Sequence, residues 1–314
     1  MRFLITGSRG FIGISLGRYV ASRGHQVVGT GRGPQARDGW PGLYVQSDLS
    51  SQHVAEIVAE FQPDVLFHAA GPASVSVSLV DPIADMEGTA GTCTRVLEGV
   101  RRSAHRPVVV LASSAAVIGN PNQLPVREDA PVQPISPYGF HKAIGELLAR
   151  EYAECFDLEI IACRFFSVFG VAQCRLLVWE LYKQLAGPGE IAWLEGTGHE
   201  SRDFLHIDDA AAAVLGLVST RELTASNKFS IVNVASGVET TVTALAEQLR
   251  DLVAPHKEIR CRGVMRKNDP LRWCADVSLL RSLLPSWQPK TLNEGLAICV
   301  EGWERQAAVL QHGS

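Results

Sequence analysis

Tyr138 and Lys142 stand four residues apart in Ser136-Pro137-Tyr138-Gly139-Phe140-His141-Lys142, at the head of a segment with helical spacing of apolar residues. On a helix that separation puts both side chains on one face, ~6 Å apart at Cβ. A phenol moves protons near neutral pH only when its anion is stabilised, and a neighbouring ammonium does this. Upstream, Ser113-Ser114-Ala115-Ala116 follows the apolar run 108–112, so a serine hydroxyl would emerge at the end of a buried strand. There it can bond the substrate oxygen that exchanges its proton with the tyrosine. The chemistry is proton transfer at a hydroxyl or carbonyl, and its natural companion is a hydride carrier.

A cradle for such a carrier is written at the N-terminus. Thr6-Gly7-Ser8-Arg9-Gly10-Phe11-Ile12-Gly13 sets three glycines at GxxGxxG spacing between an apolar run and an amphipathic segment. Glycine permits the tight turn and the close approach of backbone to a pyrophosphate, while the helix N-terminus offers free N–H groups and a positive dipole end. The second apolar run, Val27-Val28-Gly29-Thr30-Gly31-Arg32, has no acidic residue at its tip. A carboxylate there would bond a free ribose hydroxyl, and a guanidinium would accept a phosphate. Glycine followed by Arg32 therefore favours NADP(H), with NAD(H) possible, because arginine binds phosphate through charge-assisted, often bidentate, hydrogen bonds. Arg9 and Arg37 can assist, and Asp48-Leu49 would cap the adenine.

These residues need a scaffold that brings three loop tips together. Apolar runs at 3–6, 26–30, 64–68, 108–112 and 159–164 are continuous and rich in β-branched residues, the pattern of strands buried on both faces of a parallel sheet. Between them, 11–23, 51–61, 83–103 and 138–156 carry apolar residues at helical spacing, and repeated strand-helix units predict a doubly wound α/β fold. Beyond Gly170 the pattern turns irregular, with helix-like stretches at 208–218, 240–253 and 290–308 and a strand at 229–234. The expected division is a dinucleotide-binding domain from 1–168 and 203–235, with a smaller discontinuous α+β lobe from 169–202 and 236–314.

Composition narrows the partners. The 314 residues are 46% hydrophobic and 20% charged, with 29 Lys+Arg against 33 Asp+Glu and a formal net charge of −4. Without a dense basic run, neither a nucleic acid nor an anionic membrane is the expected partner. Seven scattered cysteines, odd in number and without a CxxC pair, read as thiols in a reducing compartment, and no metal-ligand spacing accompanies them. The short opening apolar run and the lack of a membrane-length segment predict a soluble, cytoplasmic protein.

Taken together, TGSRGFIG, FHAAG at 67–71, SSAAVIG at 113–119, SPYGFHK at 136–142, RFFSVFG at 164–170, RDFLHIDD at 202–209 and NVASG at 233–237 resemble the extended short-chain dehydrogenase/reductases that act on nucleotide sugars. The likeness runs nearly end to end. It implies a Rossmann fold in which Tyr138 is the acid/base, Lys142 binds the nicotinamide ribose and Ser114 orients the reacting oxygen. It further implies that Ala69, Ala70 and Gly71 border the cofactor, that the stretch from Phe165 to Val168 with Ser167 lines the nicotinamide and sugar, and that Arg202 and Arg266 hold the nucleotide diphosphate. By the same resemblance, the segments 83–103 and 138–156 would pair in a homodimer.

Departures from the family pattern bear on the reaction. Gly88 stands where the family usually has an asparagine that helps hold a proton-relay water; Ser167 replaces an asparagine and Ile118 a frequent tyrosine. Ala115 and Ala116 occupy positions where the family's dehydratases and decarboxylases carry the extra acidic groups that their eliminations need, which argues against both activities. What remains is hydride transfer at a sugar carbon. Gly31-Arg32 favours a 4-keto-6-deoxysugar reductase, with likeness to the GDP-4-keto-6-deoxymannose reductases, while the SSAAV block resembles the 4-epimerases with their retained NAD. A non-catalytic cofactor-binding sensor is the reading from another class. His68 and His206 are expected to be structural, His141 to point off the catalytic face, and Asp208 and Asp209 to begin a helix.

Overall fold

A computed structural model describes residues 1–220, 223, 227–264 and 268–312 of the chain. Seven strands, β1 (Arg2–Thr6), β2 (Gln26–Gly31), β3 (Leu43–Gln46), β4 (Val65–His68), β5 (Val108–Ser114), β6 (Ile160–Phe165) and β10 (Phe229–Val234), form one parallel sheet in the order β10-β6-β5-β4-β1-β2-β3. Side chains alternate across it, as strand geometry requires. Phe3 and Ile5 pack with residues of α1 (Phe11–Ala21) and α8 (Ile207–Thr220) on one face. Leu4 packs with α2 (Ser51–Phe61), α5 (Thr92–Arg102) and α6 (Pro137–Phe156) on the other. Burial on both faces is why the strands read as unbroken apolar runs rather than alternating ones.

The chain winds outward from β1 through β2 to β3, then returns to place β4 on the other side of β1. That reversal opens a crevice at the carboxyl ends of β1 and β4, the location where such sheets bind ligands. The glycine turn after β1, the His68–Gly71 tail after β4 and Ser114 at the end of β5 lie along this edge.

A third apolar core joins Phe169, Leu181, Leu194 and Phe204 to Leu245, Leu249 and Trp303, residues drawn from both sides of β10 in the sequence. It is framed by a three-stranded sheet of β7 (Ser167–Phe169), β9 (Ser201–His206) and β11 (Glu239–Thr241), and by the parallel pair β8 (Ile191–Leu194) and β12 (Glu258–Cys261). Trp179 belongs to this core, stacked on Tyr182 at 5.7 Å and edge-on to Trp303 at 5.1 Å.

The segment expected as one helix over 83–103 is divided. A short α4 (Pro82–Met86) passes through a π turn at Glu87–Gly91 before α5 begins at Thr92. The widened turn coincides with the two glycines at 88 and 91, where the backbone is least constrained. A further short helix, α3 (Val75–Val80), precedes it and was not legible as periodicity. Among the described residues no helix is long and apolar enough to cross a membrane, no metal-binding cluster of His, Cys, Asp and Glu occurs, and the seven cysteines are free.

Candidate active site

The glycine turn sits at the crevice. Gly7 has φ +69°, a region L side chains avoid, and a Cβ there would lie 2.7 Å from the backbone of Ala69 and Ala70. A Cβ on Gly13 would collide with the Gly7 carbonyl. The turn is closed by Gly10 N donating to Gly7 O at 2.8 Å and by Ser8 N and Oγ donating to Thr30 O, both at 3.2 Å. Helix α1 then starts at Phe11 and Ile12 with no side chain capping its free N–H groups. This is a backbone cradle that only glycine allows, and it fits a pyrophosphate.

Thr6 and His68, at the tips of β1 and β4, share a hydrogen bond of 2.7 Å between Oγ1 and Nδ1, and Ala70 N donates to the same Oγ1 at 3.3 Å. Burial, with Lys142 and Arg95 nearby, drives the His68 imidazole down to about 3, so it is neutral and structural. The Ala69-Ala70-Gly71 tail is thereby held beside the cradle. Arg32 is exposed at the end of β2, and Arg37 donates to Ala172 O at 3.1 Å. Asp48 is exposed, and its carboxylate accepts from Ser50 N at 2.9 Å, the principal reason it is held below the usual carboxylate range. Leu49 is buried in the core with Val54 and Val58, and its N–H donates to Ser47 Oγ at 3.0 Å.

Ser114 is the last residue of β5, and its Oγ accepts from Ala116 N at 3.2 Å, capping a single 3-10 turn at Ala115–Val117. Helix α6 begins beside it. Ser136 Oγ accepts from Gly139 N at 3.2 Å, and Pro137 occupies the first turn where its missing N–H costs nothing. Gly139 is pressed against the Ser114 turn so closely that a Cβ would strike the Ala116 carbonyl. Tyr138 N donates to Ser78 Oγ at 3.1 Å, which anchors the first turn of α6 to α3. Lys142 Nζ lies 5.7 Å from the Tyr138 ring centre and donates to Ala112 O at 2.8 Å. The three residues expected to act together are therefore held on two adjoining backbone turns.

One turn further along α6, Glu146 accepts from Arg164 Nε at 2.9 Å and Nη2 at 2.8 Å and from Ser113 Oγ at 2.5 Å, all buried. This pair ties α6 to β5 and β6 directly behind Ser114. Sequence reading missed it, although position 146 continues the 138, 142 spacing and Arg164 is a charge inside an apolar strand. His141 turns away from the site to Asp85, with Nδ1 and Oδ2 2.5 Å apart.

The remaining expected residues divide. Ser167 and Val168 are partly exposed, while Phe165 turns into the core, edge-on to Phe67 at 6.4 Å. Arg202 pairs with Asp269 at 2.9 Å and stands 5.4 Å over the Trp273 ring. Arg266 lies outside the described residues. Gly88 faces Pro72: a Cβ at 88 would be 2.8 Å from Pro72 Cδ, so a side chain there would force the proline ring to shift. Near Lys142 a cavity of about 10 Å³, lined by His68, Ala70, Thr89, Cys93, Leu111 and Gly145, is the size of one water.

Residues 3–235 match the model of the NAD dependent epimerase/dehydratase family. The chain belongs to that family. Among curated relatives of this epimerase/dehydratase family, a UDP-glucose 4-epimerase of Mycolicibacterium smegmatis is 31% identical over 313 residues, 96% of this chain and 98% of the relative. Of solved structures, a UDP-galactose 4-epimerase superposes with a TM-score of 0.84 at 26% identity, covering 98% of this chain and 99% of the other. MoeE5 in complex with UDP-glucuronic acid and NAD gives a TM-score of 0.87 at 26% identity, covering 98% and 100%. The epimerase/dehydratase fold, the cradle and the Tyr-Lys helix make this chain an enzyme of the extended short-chain dehydrogenase/reductase type, built to use a nicotinamide dinucleotide.

Proposed function

We propose that this enzyme is a nucleotide-sugar 4-epimerase, oxidising and re-reducing one carbon of a UDP-sugar. The observation that carries the reading is the seating of the Tyr138-Lys142 helix turn on the Ser114 turn, followed by Ala115 and Ala116, which are buried and supply no further acid or base. The 4-epimerase relatives support it over a reductase.

In this mechanism Ser114 bonds and orients the sugar hydroxyl, Tyr138 as phenolate takes its proton, and Lys142 stabilises the anion. A nicotinamide dinucleotide held by the Gly7–Gly13 turn would supply reversible hydride transfer at the sugar carbon. Tyr138 then gives the same proton back to the sugar oxygen. Over the cycle no net proton crosses to solvent, which accords with Gly88 having no side chain to serve a relay. Arg202, swung from Asp269, and Arg266 hold the diphosphate; Ser167 and Val168 border the sugar. Gly7 to Gly13 cradle the pyrophosphate, and Arg32 favours NADP(H) over NAD(H). The exposed apolar residues Val80, Ile83, Phe140 and Leu147 on α3, α4 and α6 form a homodimer face, which light scattering tests: a dimer is expected, and a monomer at micromolar concentration counts against it.

The decisive experiment incubates the protein with UDP-glucose, UDP-galactose or UDP-glucuronate and follows the C4 epimer by NMR without added reductant. Interconversion with no net cofactor oxidation is expected. A second reading, reduction of a 4-keto nucleotide sugar, is favoured by the Gly31-Arg32 pair. Stoichiometric NADPH oxidation with a 4-keto-6-deoxy nucleotide sugar, without epimer formation, would replace the first reading with the second.

A further inference from the structure

Trp273 touches three parts of the candidate site that come from separate stretches of the chain. Its indole Nε1 donates to Gly119 O at 2.9 Å, in the loop that continues the Ala115–Val117 turn capped by Ser114. The Arg202 guanidinium lies over the same ring, 5.4 Å from its centre. Phe166, the neighbour of Ser167, meets the ring edge-on at 6.1 Å, and the indole packs against the buried cluster that contains Ala115.

The backbone around the indole is fixed on both sides. Trp273 N and Arg202 Nη1 donate to one acceptor, Ser201 O, at 3.1 and 2.8 Å. Leu271 N donates to Asn120 Oδ1 at 2.8 Å, and Val126 N donates to Cys274 O at 2.7 Å. Ala275 N donates to the buried Asp203 carboxylate at 3.1 Å. Residues 271–275 therefore form a strap from the loop after Ser114 to β9, and the Trp273 side chain reaches both ends of it.

The two partners of Arg202 respond differently to an anionic ligand. Asp269, at 2.9 Å, neutralises the guanidinium and must yield when a diphosphate takes its place. An aromatic face attracts a cation without neutralising it, so the ring keeps Arg202 in position while its charge turns to phosphate. At the other end, the indole N–H holds the Gly119 carbonyl and with it the loop that follows Ser114. Placement there matters, since a shift of ~1 Å in a reacting group can cost ~100-fold in rate.

We propose that Trp273 is a positioning residue that joins diphosphate binding at Arg202, through its ring, to the placing of Ser114, through its N–H. The inference rests on Arg202 holding the diphosphate, as proposed above, and adds the residue that orients it.

Three variants separate the two arms, each read by kcat for UDP-sugar interconversion and by calorimetric affinity for UDP, which needs no turnover. Trp273→Phe keeps an aromatic face for Arg202 and loses the N–H to Gly119, so kcat should fall about tenfold while UDP affinity stays within about twofold of the parent. Trp273→Leu loses both arms, and UDP binding should weaken about fivefold as well. Arg202→Ala should weaken UDP binding at least as much. A parent-like kcat in Trp273→Phe would overturn the Ser114 arm, and a parent-like UDP affinity in Trp273→Leu would overturn the Arg202 arm. If Trp273→Leu does not fold, Trp273→Phe decides alone, and the proposal stands only if kcat falls with UDP affinity retained. Unchanged UDP affinity in Arg202→Ala would remove the diphosphate reading and this proposal with it. A protein that shows the UDP pattern but interconverts no UDP-sugar would lose the epimerase reading and the Ser114 arm together, leaving the Arg202 arm in place.

Discussion

Arg164 meets Glu146 edge to edge, Nε to Oε1 at 2.9 Å and Nη2 to Oε2 at 2.8 Å, with both side chains buried behind the Ser114 turn. Removing one member of such a pair strands a charge out of water, whereas removing both does not. Glu146→Gln or Arg164→Met should each cost about 3–5 kcal/mol, and the double change Glu146→Leu with Arg164→Met should recover most of it. Urea denaturation measures this, and single variants within 1 kcal/mol (~) of the parent would show that the pair is not buried as described.

Position 88 makes an opposite prediction. Restoring the family's usual residue by Gly88→Asn should destabilise the protein, by about 1–3 kcal/mol, because Pro72 Cδ and Cγ stand 2.8 and 3.0 Å from the new Cβ. Adding Pro72→Ala should return much of that loss. Unchanged thermal stability in Gly88→Asn alone would mean that the ring yields freely.

His68 sets an acid-sensitivity window. In the unfolded chain its imidazole takes a proton near 6.5, while in the folded chain burial holds it neutral down to about 3. As pH falls through that range the unfolded state gains a proton that the folded state does not, so stability decreases, with a slope approaching ~1.4 kcal/mol per pH unit. His68→Gln should flatten the pH dependence of urea midpoints between these limits. An identical slope in the variant would assign the acid lability to other groups.

Tyr138→Phe removes the proton carrier and little else, since among the described residues the phenol makes no hydrogen bond, and the residue is anchored to α3 through its backbone N–H donating to Ser78 Oγ. Epimerisation should fall by about 100-fold or more, with dinucleotide affinity unchanged. A variant that keeps its turnover would exclude Tyr138 as the acid/base.

Much of this architecture was legible before any coordinates. The strands of the sheet announced themselves as unbroken apolar runs, and the glycine turn and the Tyr138-Lys142 spacing marked its working edge. What escaped has a common cause. The π turn at Glu87–Gly91, the Pro72–Gly88 contact and the Trp273 bridge from Gly119 to Arg202 all depend on residues far apart in sequence meeting at close range, which periodicity does not encode. Phe165, expected to line the site, is claimed by Phe67 in the core because strand alternation sends it to the sheet face covered by α1 and α8. The lean toward a reductase rested on Arg32, a residue that bears on the cofactor's adenosine end and is silent about the fate of the sugar.

Strand β10 borders β6 although 63 residues separate Phe165 from Phe229, and the intervening chain builds β7, α7 (Leu177–Ala186), β8, β9 and α8. During synthesis from the N-terminus, the first six strands therefore emerge well before the seventh. Until Phe229–Val234 clears the ribosome, β6 presents an unpaired edge of backbone N–H and C=O groups between apolar side chains, the kind of template that recruits other chains. Truncation anywhere between the two strands leaves that edge permanently open, so premature termination here yields an aggregation-prone fragment rather than a smaller working cofactor domain.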